Sequence, residues 1–315
     1  MWQNLYKYYL IGYNKADREG ENMPDKEQQE ISFSGSAEGV FAEERCYQRD
    51  FSMVVQHFHE SVELYFLLEG ERFYFIEQNT YHIKQQMAVL INRNQIHKTS
   101  AAPGNKEHKR FLLQIDMQKL FPYLKAAGFS DAYALTDRYW GVAEFSDEDW
   151  SRVQQLLQAI RHEMQSPDQQ VNIYAALHTV ELLLLFARNR HSEPAEWKQK
   201  KHMVCDTLYI KVHEIALYIQ NNSEKSLSLE QLAKQFYISR SYLTRIFRQT
   251  TGFTVVQYQT FWRIKKARAL LSNTQMGVTE ISEQLGFGNV TYFERVFKTI
   301  VGISPREYRK SDLKM

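Results

Sequence analysis

The sequence predicts an α+β chain of two unlike halves. The N-terminal half is a β-barrel with a helical segment behind it, and the C-terminal half is an all-α domain with two helix-turn-helix motifs. Three observations predict this. Short runs rich in β-branched and aromatic residues crowd residues 51–116. Two long helical stretches follow, at 146–165 and 171–190. Near the C-terminus one stretch occurs twice: YLTRIFRQTTGFTVVQY (242–258) and YFERVFKTIVGISPREY (292–308), at an offset of 50.

Residues 1–30 read as a flexible N-terminal segment, because ADREGENMPDKEQQE (16–30) is charged and poor in apolar residues; a short helix over 2–13 fits the residues before it. The barrel is assigned to 31–120. Its strands are FSMVVQHF (51–58), VELYFLLE (62–69), RFYFIE (72–77), YHIK (81–84), MAVLIN (87–92) and RFLLQID (110–116), with hairpin turns expected at Gly70-Glu71 and Gln78-Asn79.

The helical region spans 121–190. Ser146 caps its first long helix, and Trp150, Val153, Leu156, Leu157 and Ile160 form an apolar stripe. SPDQQ (166–170) breaks the pattern. The next helix, VNIYAALHTVELLLLFARNR, is apolar around much of its girth. Residues 191–204 form a polar linker holding Pro194, and 205–312 form the C-terminal domain.

One constellation in the barrel carries chemistry: His57-x-His59, then Glu63, Gly70 and later His97. This spacing resembles the first motif of the cupin superfamily, with His97 where the second motif supplies its histidine. The resemblance implies a cupin-like barrel. A strand register would put 57, 59, 63, 65 and 67 on one face. His57, His59, Glu63 and His97 could then converge on a divalent metal, or with Tyr65 hydrogen-bond a small effector. AVLINRNQIH lacks the glycine and proline usual in the second motif, which weakens the metal alternative, and no cofactor is assigned. Phe58, Tyr65, Phe73, Phe75 and Tyr81 form either a pocket lining or barrel core.

Each C-terminal repeat carries a short amphipathic helix, a tight turn and a second helix. In the first, Leu229, Leu232, Ala233 and Phe236 make one apolar face, Ser228 and Ser239 sit at N-cap positions, and Tyr237-Ile238 make the turn. Arg240, Ser241, Thr244, Arg245 and Arg248 are left on the outer face. In the second, Gly286 and Gly288 bracket the turn, leaving Asn289, Val290, Thr291, Glu294, Arg295 and Lys298 outside. Arginines and small hydroxyls on an exposed helix suit the major groove, since arginine bonds guanine bidentately.

The region from about Cys205 to Lys310 resembles the DNA-binding domain of AraC-family transcription regulators. The pattern is carried by Arg263, Ala267, Leu270 and Leu271 in the linking helix. It continues through Ile281, Gly286-Phe287, Tyr292-Phe293, Arg295, Phe297-Lys298, Gly302, Ser304-Pro305 and Tyr308-Arg309. The resemblance implies recognition helices in the major groove of double-stranded DNA. Base-reading candidates are then Ser241, Thr244 and Arg245, with Val290, Thr291, Glu294 and Arg295 in the second module, and Arg240 and Asn289 join them as DNA-binding candidates. It also implies a small-molecule effector in the barrel, a sugar in many members, and a homodimer through helices 147–164 and 170–188. If the output is activation, RNA polymerase is a further partner.

Charge agrees with that division. Residues 205–315 carry 16 Lys+Arg against 9 Asp+Glu, a net +7, while 1–204 carry a net −5. The basic half holds the repeat, as attraction to phosphates requires. Two distant cysteines, Cys46 and Cys205, build no disulfide framework or zinc pattern, and no membrane span is expected. A cytoplasmic regulator is the expectation. A metal-dependent cupin enzyme fused to a DNA-binding module, or an architectural binder without sensing, are the alternatives.

Overall fold

Residues 29–48, 61–93, 95–102, 107–165, 173–190 and 207–312 are described in the structure, a computed structural model of the chain. The helix expected over 2–13, the strand over 51–58, the break at 166–170 and the linker at 191–204 lie outside them. So do His57, Phe58 and His59. The chain divides into two compact units, Met1–Val204 and Cys205–Met315.

In the first unit the described strands are β1 (Gln29–Ala37), β2 (Val40–Tyr47), β3 (Val62–Glu69), β4 (Glu71–Ile76), β5 (Asn79–Lys84), β6 (Met87–Ile91), β7 (His97–Ala101), β8 (His108–Ile115) and β9 (Gly141–Glu144). They form two antiparallel sheets, β1-β2-β8-β3-β6-β9 and β5-β4-β7. Side chains alternate across the larger sheet. Val62, Leu64 and Phe66 of β3 and Phe111, Leu113 and Ile115 of β8 join an outer core with the helices. Tyr65, Leu67 and Leu112 face the smaller sheet and pack with Tyr74, Ile76, Tyr81 and Ile83.

The hairpin expected at Gly70-Glu71 is not there. β3 pairs with β6 and β8, whereas β4 pairs with β5 and β7, so Gly70 is the corner where the chain leaves one sheet for the other. Its φ of +90° and a Cβ that would lie 2.5 Å from the Glu107 carbonyl oxygen make glycine necessary at that corner. The second turn is a true hairpin, one residue earlier than expected: Ile76 pairs with Asn79 across Glu77-Gln78. Strands β1, β2, β7 and β9 have no counterpart among the expected runs.

The outer core is closed by α1 (Met117–Ala126), α2 (Ala134–Tyr139), α3 (Asp147–Gln165) and α4 (Ile173–Asn189). Ser146 Oγ accepts the Asp149 N–H at 3.2 Å, the cap that the sequence implies. Trp150, Val153, Leu156, Leu157 and Ile160 are all buried. On α4 the girth is not wholly covered: Ile173, Tyr174, Leu177 and Leu184 are exposed. The ion pairs Arg152–Glu181 and Arg188–Asp149 join α3 to α4.

The second unit runs α5 (Thr207–Asn221), α6 (Leu229–Gln235), α7 (Arg240–Thr251), α8 (Val255–Asn273), α9 (Val278–Gln284), α10 (Val290–Val301) and α11 (Pro305–Asp312). The repeat is visible in its hydrogen bonds. Both second helices end on a left-handed glycine, Gly252 (φ 82°) and Gly302 (φ 90°). Both are followed by a capping box, Thr254 with Gln257 and Ser304 with Glu307. A tyrosine then packs edge-on to the helix it follows: Tyr258 to Phe247 and Tyr308 to Phe297.

The first helices match at an offset of 49, because the second turn is one residue longer. α6 and α9 close alike, through Ile238 N to Ala233 O at 3.0 Å and Phe287 N to Ser282 O at 2.9 Å. The left-handed residue is Tyr237 (φ 55°) in one and Gly286 (φ 74°) in the other. Gly286 is bound to be glycine for a second reason. A Cβ there would come within 2.1 Å of the Glu224 carbonyl oxygen. Gly286→Ala should therefore destabilise this domain by about 2–4 kcal/mol, combining left-handed strain with overpacking. Tyr237→Gly should instead raise stability by about 0.5–1 kcal/mol, since no such contact opposes relief of the same strain. Urea denaturation of both variants checks the contrast.

Candidate functional site

The outer faces of α7 and α10 present the candidate DNA-binding residues. Ser239 Oγ accepts the Tyr242 N–H at 3.2 Å, and Asn289 Oδ1 accepts from Thr291 N at 2.7 Å and Tyr292 N at 3.1 Å. The Asn289 side-chain oxygen is thus used as a cap. Arg240, Ser241, Thr244, Arg245, Thr291 and Arg295 are exposed, whereas Val290 and Glu294 are half-buried and less available than their helical positions suggest. The Thr244 hydroxyl donates to the Arg240 carbonyl at 2.9 Å, so while that bond stands it can only accept, as from a base amino group, and cannot donate to a phosphate. One feature occurs in both copies and was not among the candidate contacts. The Arg245 guanidinium lies 5.2 Å from the Tyr242 ring centre, and that of Arg295 lies 5.5 Å from the Tyr292 ring. Its signal was in the repeat itself, where Tyr and Arg recur three residues apart.

The linking helix α8 holds the two modules together. Sequence alone leaves Arg263, Lys265, Lys266 and Arg268 open between phosphate contacts and a solvated face. All four instead have partners inside the domain. Arg263 donates from Nε to the Ser223 carbonyl at 2.6 Å, from Nη2 to the Lys225 carbonyl at 3.0 Å, and from Nη1 to the Gly286 carbonyl at 2.8 Å. Gln259 bonds the same two carbonyls of the 223–225 loop, at 2.9 and 2.6 Å. Lys266 pairs with Glu224 at 2.7 Å, and this hydrogen bond holds the Glu224 carboxyl below its ordinary pKa. Lys265 lies 4.5 Å from the Trp262 ring centre, and Arg268 donates to Tyr308 Oη at 3.2 Å.

Of the candidate effector residues, Glu63, Tyr65 and His97 meet on the inner face of the barrel. Glu63 accepts from Tyr74 Oη at 3.1 Å and lies 3.9 Å from His97 Nε2. Among the described residues no group of three His, Cys, Asp or Glu stands at metal-binding distance; His57 and His59 are not among those residues. Tyr65 and Tyr81 line the inner core, while Phe73 and Phe75 lie on the opposite face of β4.

The inner face also holds residues that the sequence motifs do not mark. Glu43 bridges Arg45 and Arg110, each at 2.6 Å. Arg72 Nε donates to Thr99 Oγ1 at 3.1 Å, and Tyr47 stacks on His108. Burial raises the Tyr65 pKa to about 12. Burial, with the charges of Arg72 and Arg110, lowers that of His108 to about 2, so its imidazole is neutral near pH 7. The available signal was an arginine in phase with the inward residues of its strand: Arg72 with Tyr74 and Ile76, Arg110 with Leu112.

A domain of two helix-turn-helix motifs, joined in one chain to a sheet-rich domain with a polar interior, defines a DNA-binding regulator of the effector-responsive kind. Residues 39–186 match the family model described as an AraC-like ligand binding domain, and residues 232–311 match a helix-turn-helix domain. The chain is 25% identical over 258 residues to the uncharacterized HTH-type transcriptional regulator YfiF of Bacillus subtilis (strain 168), covering 80% of this chain and 78% of that one. It is 24% identical over 283 residues to the HTH-type transcriptional activator RhaR of Enterobacter sp. (strain 638), covering 88% and 93%. Among solved structures it is 33% identical to the C-terminal domain of AraT, a response regulator from Geobacillus stearothermophilus. That match covers 34% of this chain and 88% of the other, with a TM-score of 0.32.

The chain belongs to the AraC family of transcription regulators. It is a sequence-specific DNA-binding regulator under effector control, and not an enzyme. No helix among the described residues is long and apolar enough to cross a membrane.

The geometry of Arg263 gives a prediction that separates scaffold from contact. Arg263→Ala removes three charge-assisted bonds to backbone carbonyls and should destabilise the domain by about 2–4 kcal/mol. DNA affinity should fall, but the slope of log K against log salt should stay unchanged, because no phosphate contact is lost. A slope reduced by about one would make Arg263 a phosphate ligand instead.

Proposed function

We propose that the protein reads two DNA boxes with one chain, α7 supplying one set of contacts and α10 the other. The observation that carries this reading is the tyrosine-backed arginine repeated on both exposed helix faces. Arg240, Ser241, Thr244 and Arg245 contact the first box. Arg295, with Val290, Thr291 and Glu294, contacts the second, and Asn289 serves chiefly as the cap that orients α10. The two boxes lie about one helical turn, roughly 34 Å, apart.

The barrel, residues 31–120, holds the effector among Glu63, Tyr65 and His97, to which sequence adds His57 and His59; a sugar is one occupant that such tyrosine-lined walls suit. The helical region 121–190 dimerises the protein. The exposed stripe of Ile173, Leu177 and Leu184 on α4 supports that reading, since a face apolar at helical spacing is the kind that meets its own copy. Residues 191–204 connect to the DNA-binding domain 205–312, and effector binding changes how a dimer's two DNA-binding domains are posed on paired sites. The protein works in the cytoplasm, with RNA polymerase as a further partner where the output is activation.

Selection of bound duplexes from a random pool, using the full chain, tests the DNA reading. Two enriched boxes one turn apart are expected, and a single box would remove one module from base recognition. Arg295→Ala should then cost about 1–3 kcal/mol of affinity and relax preference at one position of the second box. Unchanged affinity and preference would reject its role. Leu177→Glu combined with Leu184→Glu should shift light scattering at micromolar concentration from dimer to monomer. A wild-type chain already monomeric there would sink the dimer.

A further inference from the structure

Charge on the inner face of the barrel is unevenly paired. Among the described residues, its inward strand positions carry Arg45, Arg72 and Arg110 against Glu43 and Glu63, with a third carboxylate, Glu144, exposed on the edge strand β9. Glu43 is shared between Arg45 and Arg110. Among the described residues Arg72 has no carboxylate partner, and its side chain's one hydrogen bond to them is to a neutral threonine hydroxyl. It is 1% exposed, yet a guanidinium stays protonated at any working pH. A buried cation is ordinarily paired, because desolvating it alone is costly.

Among the described residues Arg72 Nη2, Arg110 Nη1 and Tyr65 Oη are buried donors that meet no acceptor. All three residues are more than nine-tenths buried. They lie near one another. Arg110 is opposite Leu67 on β3, Tyr65 is two residues along the same face, and Arg72 is the second residue past the Gly70 corner. The charge of Arg72 is felt by Tyr65, Arg110 and His108 alike. Beside them His108 is neutral and so does not add to the positive charge.

Resting on the reading of the barrel as an effector site, we infer that its effector is a small organic anion whose carboxylate or phosphate oxygens bond Arg72 Nη2, Arg110 Nη1 and Tyr65 Oη. A bound oxyanion supplies the missing negative charge and satisfies all three donors, which a neutral sugar does only in part. A sugar acid meets both the arginines and the tyrosines.

The test is thermal unfolding of the full chain titrated with inorganic phosphate, with sodium acetate and with glucose, at ionic strength held constant by sodium chloride. A saturable rise in midpoint with phosphate or acetate is expected, and the one that acts tells phosphate from carboxylate chemistry. The Arg72→Met chain should unfold no earlier than wild type without added anion, and should need about tenfold or more anion for the same response. A general salt effect rises without saturating. A response that does not saturate, or that is equal in wild type and Arg72→Met, overturns the inference. If Arg72→Met does not fold, Arg72→Lys keeps the charge without the planar fork: a weakened response is expected, and an unchanged one overturns the inference. A saturable response to glucose alone overturns the anion and leaves effector control standing. Conversely, an anion that saturates the barrel without altering duplex affinity upholds the anion site and overturns its identity as the effector.

Discussion

The C-terminal domain depends on one guanidinium. Arg263 ties the loop before the first helix-turn-helix, through Ser223 and Lys225, to the turn of the second, through Gly286. The three acceptors are backbone carbonyls, so the clamp is indifferent to the side chains around it and strict about chain path. Gly286 meets that strictness from the other side, since any Cβ would strike the Glu224 carbonyl. The linking helix is therefore more than a spacer. Its polar side chains orient one module on the other, and its apolar face, with Ile264, Ala267 and Leu271, forms part of the second module's core.

The barrel is organised by the reverse situation, in which charges are buried without full compensation. Its outer face packs against helices as a conventional apolar core, while its inner face mixes tyrosines, arginines and glutamates. A polar interior of that kind stabilises the fold less than packed aliphatic side chains of the same volume would. Among the described residues the shortfall falls on groups such as Arg72, whose side chain bonds a single neutral hydroxyl.

The C-terminal half was legible in the sequence because its information is local. Ser228 with Gln231 and Ser239 mark helix starts within a few residues, and Asn289 repeats the second of those marks. The barrel was less legible because strand pairing is non-local. β3 and β4 are consecutive and look like a hairpin across Gly70, yet their partners are β8 and β7, far along the chain. β2 escaped notice because Glu43, Glu44 and Arg45 interrupt its alternation; only the fold reveals that Glu43 is buried against Arg110 and Glu44 against Lys109 and Arg161. In the same way the histidine-rich motif drew the eye to Glu63 and His97, while Arg72 and Arg110 read from sequence as ordinary polar strand positions.

The tyrosine-backed arginines bear on the thermodynamics of recognition. A free arginine side chain carries roughly 2 kcal/mol of rotamer entropy, which is lost when it is fixed on a base. Arg245 and Arg295 each rest on a tyrosine one turn earlier on their own helix, so part of that freedom is already gone before DNA arrives. Their ordering is a cost of folding more than of association. Both modules thus meet the duplex with their longest contacts partly preset, and binding should be less entropically opposed than the length of those side chains alone would suggest.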